Sequence, residues 1–195
     1  WKSMKPCVLG VIFAQKFAGL KHLRKLVIIM HNLNIMLVGV GGQGTLLASR
    51  VLGTVALKKS YDVKVSEVHG MSQRGGNVVT YVKFGEKVYS PIIEKGEADI
   101  ILAFEQLEAL RWIEYLKKDG MMIINDQKID PMPVIIGKAK YPESIIEKIK
   151  ENYQNILSLD ALSIAKQCGN IKAVNTVLIG VMAANTRVEK QIWIE

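Results

Sequence analysis

The sequence Ile35-Met36-Leu37-Val38-Gly39-Val40-Gly41-Gly42-Gln43-Gly44 determines the architecture, because a continuous apolar run ends here at clustered glycines. Apolar residues then recur at helical spacing at Leu47, Val51 and Val55, with Leu46, Leu52 and Ala56 beside them. Together these features predict a buried parallel strand, a tight turn and a helix. This is how a doubly wound α/β domain begins.

Gly39, Gly41 and Gly44 have the G-x-G-x-x-G spacing, for which we keep two interpretations. The turn and the following helix N-terminus can bind an anion such as a dinucleotide, with Glu67 as the acid that binds the ribose. Alternatively, the turn serves packing or subunit contact, which we favour because the motif alone discriminates poorly. A Walker phosphate loop is excluded, since Thr45 stands where that motif requires lysine.

Composition indicates one α/β domain in a chain of 195 residues, of which 49% are hydrophobic. The net charge is +8, with 26 basic and 18 acidic residues. Six of the basic residues lie in residues 1–33, which contain no acid, so 20 basic and 18 acidic residues remain for the rest. A nearly neutral body without a basic stripe does not favour nucleic-acid binding.

Residues 1–33 are interpreted as an N-terminal extension, and residues 34–195 as the domain. No apolar run reaches the roughly 20 residues that a membrane helix needs, so we expect no membrane association. The two cysteines, Cys7 and Cys168, are too few for an iron–sulfur cluster or a structural zinc site. We expect free thiols and a cytoplasmic location, and we predict no metal site in this chain.

Patterning along the rest of the chain predicts a Rossmann-like, three-layer single domain whose mostly parallel sheet includes an antiparallel hairpin. The hairpin is expected to pair residues 77–84 with residues 87–89, through a turn at Gly85-Glu86. A helix is expected over residues 105–118, with Gly120 as its C-cap. The other predicted strands are 63–67, 98–104, 121–125 and 156–160, and the other predicted helices are 142–153, 161–168 and 172–184.

The segment His69-Gly70-Met71-Ser72-Gln73-Arg74-Gly75-Gly76 contains three glycines with polar side chains between them. This composition is typical of a shaped loop and not of a core element. The loop follows a predicted strand, so it lies at the carboxyl edge of the sheet, where open α/β sheets place their sites. The glycine-rich turn after the first strand is expected at the same edge.

These motifs resemble the gamma domain of the 2-oxoacid ferredoxin oxidoreductases. The resemblance rests on residues 39–44, on the segment 67–76 and on Asn175-Thr176-Val177-Leu178-Ile179-Gly180, and it spans roughly residues 34–184. The His-Gly-Met-Ser-Gln-Arg-Gly-Gly run is its most specific part. Within the family, the indolepyruvate type is the most similar.

The resemblance implies a subunit of an enzyme that converts an aryl 2-oxoacid and coenzyme A to an acyl-coenzyme A and passes electrons to ferredoxin. It further implies that thiamine diphosphate, magnesium and [4Fe-4S] clusters are held by a large partner subunit, with no cofactor bound by this chain. The residues agree with this, since the cysteines are few and the Gly-Asp-Gly…Asn pattern of a diphosphate–magnesium site is missing.

No residue of this chain is assigned as catalytic by the sequence; the candidate residues form a cofactor-binding or interface loop. His69 is an acid–base group or a loop histidine that bonds structurally, and the latter is favoured because no Cys, Ser or acid is placed to orient it. Two roles are open for Arg74: its guanidinium binds a carboxylate or phosphate of a ligand, or it forms an ion pair across a subunit interface. Asn175 makes an interface contact or is a satisfied buried amide. The candidate set is Gly39, Gly41, Gly42, Gln43, Gly44, His69, Met71, Ser72, Gln73, Arg74, Gly75 and Asn175.

Other functions remain open at this point. The chain is alternatively a gamma subunit of a pyruvate or 2-ketoisovalerate ferredoxin oxidoreductase. A stand-alone nucleotide-binding or NAD-linked enzyme also fits a glycine turn followed by an acid at Glu67. A purely structural partner subunit without a ligand is a third possibility.

Overall fold

A computed structural model of the chain describes residues 32–70 and 76–186. Within these ranges it contains a six-stranded sheet with the order β2-β3-β1-β4-β5-β6. The strands are β1 (Leu33–Val40), β2 (Asp62–His69), β3 (Asn77–Gly85), β4 (Ala98–Ala103), β5 (Leu116–Asn125) and β6 (Ile156–Leu159).

Six α-helices and two 3₁₀ turns accompany the sheet in the described part of the chain. The helices are α1 (Thr45–Lys58), α2 (Gln106–Trp112), α3 (Met132–Ile135), α4 (Ile145–Asn152), α5 (Ala161–Gln167) and α6 (Val174–Ala184). The 3₁₀ turns are Ile113–Tyr115 and Ile171–Ala173. Among these residues, no helix combines the length and the apolar character that crossing a bilayer requires.

The sheet is mostly parallel, as predicted, and one strand runs against the others. β1, β4, β5 and β6 pair in parallel. β3 lies between β1 and β2 and is antiparallel to both. The expected α/β class with an antiparallel hairpin is therefore confirmed.

The partners in the hairpin differ from the prediction. All of β2 pairs with β3, from Asp62 opposite Gly85 to His69 opposite Val78, and residues 87–89 form no strand. The backbone N–H of Val88 donates instead to Oδ2 of Asp62, at 3.0 Å. The prediction of a tight turn at Gly85 was wrong, because the eight-residue β2 already occupies the edge of β3 that residues 87–89 would need.

Two cores lie on the two faces of the sheet and create the three layers. One core packs the sheet against α1, α5 and α6, and the other packs it against α2 and α4. Side chains of β1 alternate between them: Leu37 belongs to the first core and Val38 to the second. Both faces are covered, so the central strands are apolar throughout.

The predicted helix over residues 105–118 was too long. α2 ends at Trp112, a 3₁₀ turn follows, and Leu116 already begins β5. Gly120 lies inside that strand and is not a helix cap: a Cβ atom there would lie 2.9 Å from the carbonyl oxygen of Ala98. Glycine is needed because β5 passes very close to β4 where their register shifts, between Ala98 and Ile100.

α1 forms where predicted, and the apolar positions Leu52, Val55 and Ala56 named from the sequence lie in the first core. Leu46 and Leu47 are about half exposed, whereas Ala48, Leu52 and Ala56 are in the first core. The small residues Ala48 and Ala56 let this face of the helix lie close to the sheet. The carboxyl end of β1, the N-terminus of α1 and the end of β2 thus lie at one edge of the sheet.

Candidate functional site

A glycine turn, residues 39–44, connects β1 to α1. Gly42 and Gly44 have φ angles of +95° and +79°, a left-handed conformation that residues with a Cβ atom adopt only at a cost. Gly44 is the N-cap residue of α1, and no side chain caps this helix. Two of the predicted glycine positions are therefore required by the backbone conformation.

Gln43 fixes the turn to the ends of two strands. Its Oε1 accepts a hydrogen bond of 2.7 Å from the backbone N–H of Val40. Its Nε2 donates to the carbonyl oxygen of Phe104 at 3.0 Å and to Oε1 of Gln127 at 3.3 Å. A Cβ atom at Gly39 would lie 2.8 Å from Oε1 of Gln43. This predicted site residue thus has a structural role in which both ends of its amide are used.

A second amide continues this network beneath the turn. Asn125, at the end of β5, is 1% exposed. Its Nδ2 donates to the carbonyl oxygen of Phe104 and to Oε1 of Gln127, both at 3.1 Å, and its Oδ1 accepts from the backbone N–H of Ala161 at 3.1 Å. Asn125 is not among the predicted site residues, although a polar residue that ends an apolar strand is a recognisable signal.

Asn175, predicted as either an interface residue or a satisfied amide, bonds within the chain. Its Nδ2 donates to the carbonyl oxygen of Gly44 at 3.3 Å. The residue is half-buried in the first turn of α6. The contact brings α6 onto the glycine turn and supports the structural interpretation of Asn175.

The two glycine-rich segments meet, as their shared edge predicts. The backbone N–H of Gly41 donates to the carbonyl oxygen of Gly76 at 2.9 Å. The base of the second segment is closed by a bond of 3.0 Å from the N–H of Gly70 to the carbonyl oxygen of Asn77. The glycine turn and the loop between β2 and β3 therefore form one continuous surface element, which we call the glycine edge (residues 39–44, 69–70 and 76–77).

Five of the predicted site residues lie outside the described residues: Met71, Ser72, Gln73, Arg74 and Gly75. Their interpretations stay predictions. The residues on both sides of them belong to the glycine edge, so the position of the loop ends is defined.

His69 is oriented by an acid, contrary to our expectation that none is available. Its Nε2 lies 2.7 Å from Oε1 of Glu67, and its side chain is 59% exposed. The hydroxyl of Thr80 donates to Oε2 of Glu67 at 2.9 Å. Residues two apart on a strand share a face, and Thr80 pairs directly with Glu67 across the ladder. This spacing is visible in the sequence and is the signal that we missed.

The same geometry differs from a dinucleotide site. In the usual dinucleotide fold, the strand that carries the ribose-binding acid lies beside the first strand. Here the antiparallel β3 separates β2 from β1. Glu67 is also occupied by His69 and Thr80, and the N–H of Gly41 by Gly76. The packing interpretation of the glycine turn is favoured over the nucleotide interpretation.

A buried carboxylate, Glu105, caps α2 behind this edge. It is 1% exposed, and it accepts from the backbone N–H of Glu108 at 3.0 Å and from that of Ile129 at 3.1 Å. The hydroxyl of Tyr141 also donates to it. Burial, followed by the bond to Glu105, raises the pKa of Tyr141. Glu105 therefore holds the long connection between β5 and α4 near both of its ends, through Ile129 and Tyr141.

Glu108 is a second buried carboxylate, on the first turn of α2. Arg111 Nη1 lies 2.5 Å from its Oε1, and Trp112 Nε1 donates to its Oε2 at 3.3 Å. Burial raises the pKa of Glu108, and the charge of Arg111 only partly opposes this effect. We assign Glu108 a structural role, because all of its partners lie on α2 itself.

Comparison with known proteins places this architecture in a class. Residues 34–195 match the pyruvate ferredoxin/flavodoxin oxidoreductase family, and the chain belongs to that family. Over 78% of this chain and 77% of the relative, it is 47% identical to "Indolepyruvate oxidoreductase subunit IorB" of Pyrococcus horikoshii. It is 26% identical to "Pyruvate/ketoisovalerate oxidoreductases common subunit gamma" of Pyrococcus abyssi, over 78% of this chain and 77% of that one.

A solved structure has the same fold. It is the gamma subunit of a keto/oxoacid ferredoxin oxidoreductase from Geobacter sulfurreducens, with a TM-score of 0.59 and 24% identity. The match covers 83% of this chain and 82% of that one. The expected resemblance to the 2-oxoacid ferredoxin oxidoreductases is thereby confirmed.

Proposed function

We propose that this chain is the small, non-cofactor subunit of an indolepyruvate ferredoxin oxidoreductase. The observation that carries the proposal is the hydrogen bond of 2.9 Å between Gly41 and Gly76, which joins the two family motifs into the glycine edge. Both motifs are used to build one surface at the carboxyl ends of the strands, where α/β proteins bind ligands and partners.

The chemistry of the reaction is supplied by a partner in this proposal. An iron–sulfur cluster needs four ligands, normally thiolates, and the whole chain has two cysteines. Within residues 32–70 and 76–186, no group of three His, Cys, Asp or Glu side chains is arranged to hold a metal ion. The donor set thus does not fit these groups. In keeping with the family resemblance, we propose that thiamine diphosphate, magnesium and [4Fe-4S] clusters are held by a large partner subunit.

This chain contributes a surface that completes the complex. The glycine edge faces the partner, the coenzyme A and the 2-oxoacid, and electrons leave for ferredoxin through the complex. Residues 34–195 form the functional unit, and residues 1–33 are an extension outside it, in keeping with the range of the family match. The cytoplasmic location predicted from the sequence goes with this assignment.

The alternatives are weaker. Identity to the pyruvate/ketoisovalerate gamma subunit is 26%, against 47% to the indolepyruvate subunit, so an aryl 2-oxoacid is favoured over pyruvate. A stand-alone nucleotide-binding enzyme is disfavoured, because β3 separates Glu67 from the glycine turn.

Co-purification tests the assignment. Expressed together with a candidate large subunit from the same source, this chain should elute with it as one brown complex that contains thiamine diphosphate. A colourless chain that elutes alone and binds NAD or ATP would contradict the proposal.

A further inference from the structure

Three side chains form a series of contacts that ends at the protein surface: a hydrogen bond from Thr80 to Glu67, and an N···O contact between Glu67 and His69. Thr80, which is fully buried in β3, donates to Oε2 of Glu67 at 2.9 Å, and Oε1 of Glu67 lies 2.7 Å from Nε2 of His69. Exposure of the side chain rises from 13% at Glu67 to 59% at His69. The series therefore runs from the core to the beginning of the loop between β2 and β3.

This contact places Nε2 of His69 against the carboxylate of Glu67. An ionised carboxylate can only accept, so a neutral imidazole held there is expected to carry its proton on Nε2. Nδ1 then carries the lone pair and is the nitrogen that Glu67 leaves available. An acid that orients a histidine through one nitrogen, while the other acts on a ligand, is the recurring arrangement of general-base sites.

The described elements packed against β2 include β3 and α1. On β3, the residue opposite it is Val78, and Lys83 donates to the carbonyl oxygen of Ile92 instead. On α1, Arg50 is exposed and lies away from the sheet. Among the described residues, Glu67 is thus the charged group that determines how His69 is held.

The chemistry of the reaction indicates which group of the reactants would interact with Nδ1 of His69. The inference rests on the proposed function, in which a 2-oxoacid and coenzyme A are the reactants. The carboxylate of the oxoacid is already ionised near neutral pH, and the phosphates of coenzyme A are largely so. The thiol is the reactant that must lose a proton before its sulfur can form a thioester.

We propose that His69 is a catalytic residue of the assembled enzyme, with Glu67 and Thr80 as positioning residues. Nδ1 of His69 accepts the proton of the thiol of coenzyme A: the S–H bond breaks, the N–H bond forms, and the electron pair stays on sulfur. The exposed imidazolium then returns the proton to water. No oxidant or reductant takes part in this step.

The tautomer is tested on this chain alone. Two-bond ¹H–¹⁵N spectra of the full chain at alkaline pH should show His69 in the Nε2–H form only. Glu67→Ala should raise the share of the Nδ1–H form to that of a histidine peptide. A predominant Nδ1–H form in the wild type, or no change in Glu67→Ala, would overturn the positioning.

Kinetics of the complex test the catalytic step. At pH 7, His69→Gln should lower kcat/KM for coenzyme A by about 10²-fold. The loss should shrink as the pH rises, because a growing share of the thiol is then ionised without a base. Single-turnover decarboxylation of the 2-oxoacid without coenzyme A should be unchanged. Arg50→Gln, a change at an exposed residue of α1, is the control and should behave as wild type.

Thr80 separates positioning from folding. Thr80→Val has nearly the same volume but lacks the hydroxyl. It should lower kcat/KM for coenzyme A less than His69→Gln does, with the same pH dependence. Thr80→Ser keeps the donor and should restore the rate. The role of His69 would be overturned if the rate loss in His69→Gln were independent of pH. It would also be overturned if decarboxylation without coenzyme A slowed as much as the reaction with coenzyme A. A wild-type complex without turnover that depends on coenzyme A would instead overturn the proposed function, and this inference with it.

Discussion

Nδ2 of Asn175 lies 2.2 Å from the position that a Cβ atom of residue 44 would occupy. Asn175 is in α6 and Gly44 is in the glycine turn, 131 positions earlier in the chain. A Cβ atom at residue 44 would therefore displace the end of the Asn175 side chain from its place against the turn, in addition to the cost of the left-handed φ.

Gly44→Ala should therefore be more destabilising than a substitution at Gly42. Both glycines have positive φ, but a Cβ atom at Gly42 would meet nothing within 4 Å. We expect Gly42→Ala to lower the free energy of unfolding by about 1–2 kcal/mol, from backbone strain alone. Gly44→Ala should lose about 1 kcal/mol more, because the end of Asn175 must swing aside and give up its hydrogen bond to the carbonyl oxygen of residue 44. Urea unfolding of the two variants measures the difference, and equal losses would contradict the packing argument.

The amide network predicts a second stability difference. Asn125→Ala leaves the backbone N–H of Ala161 without its acceptor in a buried place. We expect a loss of about 1–3 kcal/mol in the free energy of unfolding. Asn152→Ala is the matched control, since that exposed amide donates to Lys148 on its own helix. Its loss in urea unfolding should stay below about 0.5 kcal/mol. Similar losses in both variants would show that the network has little effect on stability.

Glu108 predicts a pH dependence with a definite sign. Burial raises the pKa of its carboxyl above the ordinary 4.5, so between these two values the folded chain binds more protons than the unfolded chain. Its contribution to stability therefore falls as the pH rises through 4.5 and is lowest above the raised pKa. Glu108→Gln removes this effect. The free energy of unfolding of Glu108→Gln, relative to wild type, should increase from pH 4 to pH 8.

A surface carboxylate provides the control for that experiment. Lys95 lowers the pKa of Glu114, so the stability from this pair is lost as the pH falls. Glu114→Gln should show a small change of the opposite sign, because this ion pair is exposed. A difference for Glu108→Gln that is independent of pH would mean that burial does not govern Glu108.

Arg74 is predicted to act in the complex and not in folding. Arg74→Ala should leave the melting temperature of this chain unchanged and lower the activity of the complex by roughly 10–100-fold, the effect of losing a charged hydrogen bond. A higher KM for coenzyme A or the 2-oxoacid in an intact complex indicates a ligand contact, whereas weaker assembly indicates an interface. Arg50→Ala, on the exposed face of α1, is the control. Unchanged kinetics and assembly in Arg74→Ala would contradict a role in the complex.

The sequence predicted the sheet well where strands are apolar on both faces. Leu37 and Ile101 lie in runs without polar residues, and such runs are buried strands of parallel sheets. Pairing was less predictable, because alternation marks β2 and β3 as strands without saying which edges meet. Gly120 was misread for a related reason: glycine after a helical pattern is usually a cap, but here it lets β5 approach Ala98.

The candidate site was predicted as two motifs and not as a network. Glycine spacing places Gly41 and the loop after His69 at one edge, since both follow strands that run in the same direction. The hydrogen bonds of Asn125 and Asn175 join residues far apart in the chain, so no local pattern reveals them. The contact of Glu67 with His69 was the exception, since their spacing of two on a strand is a local signal.

Reconstitution is the most direct test of the proposed function. Ferredoxin reduction by indolepyruvate and coenzyme A is measured with this chain alone, with the large subunit alone and with both together. We expect reduction only in the combined sample, because the two cysteines of this chain are too few to ligate an iron–sulfur cluster. Full turnover by this chain alone, or a rate of the large subunit that this chain does not change, would contradict it.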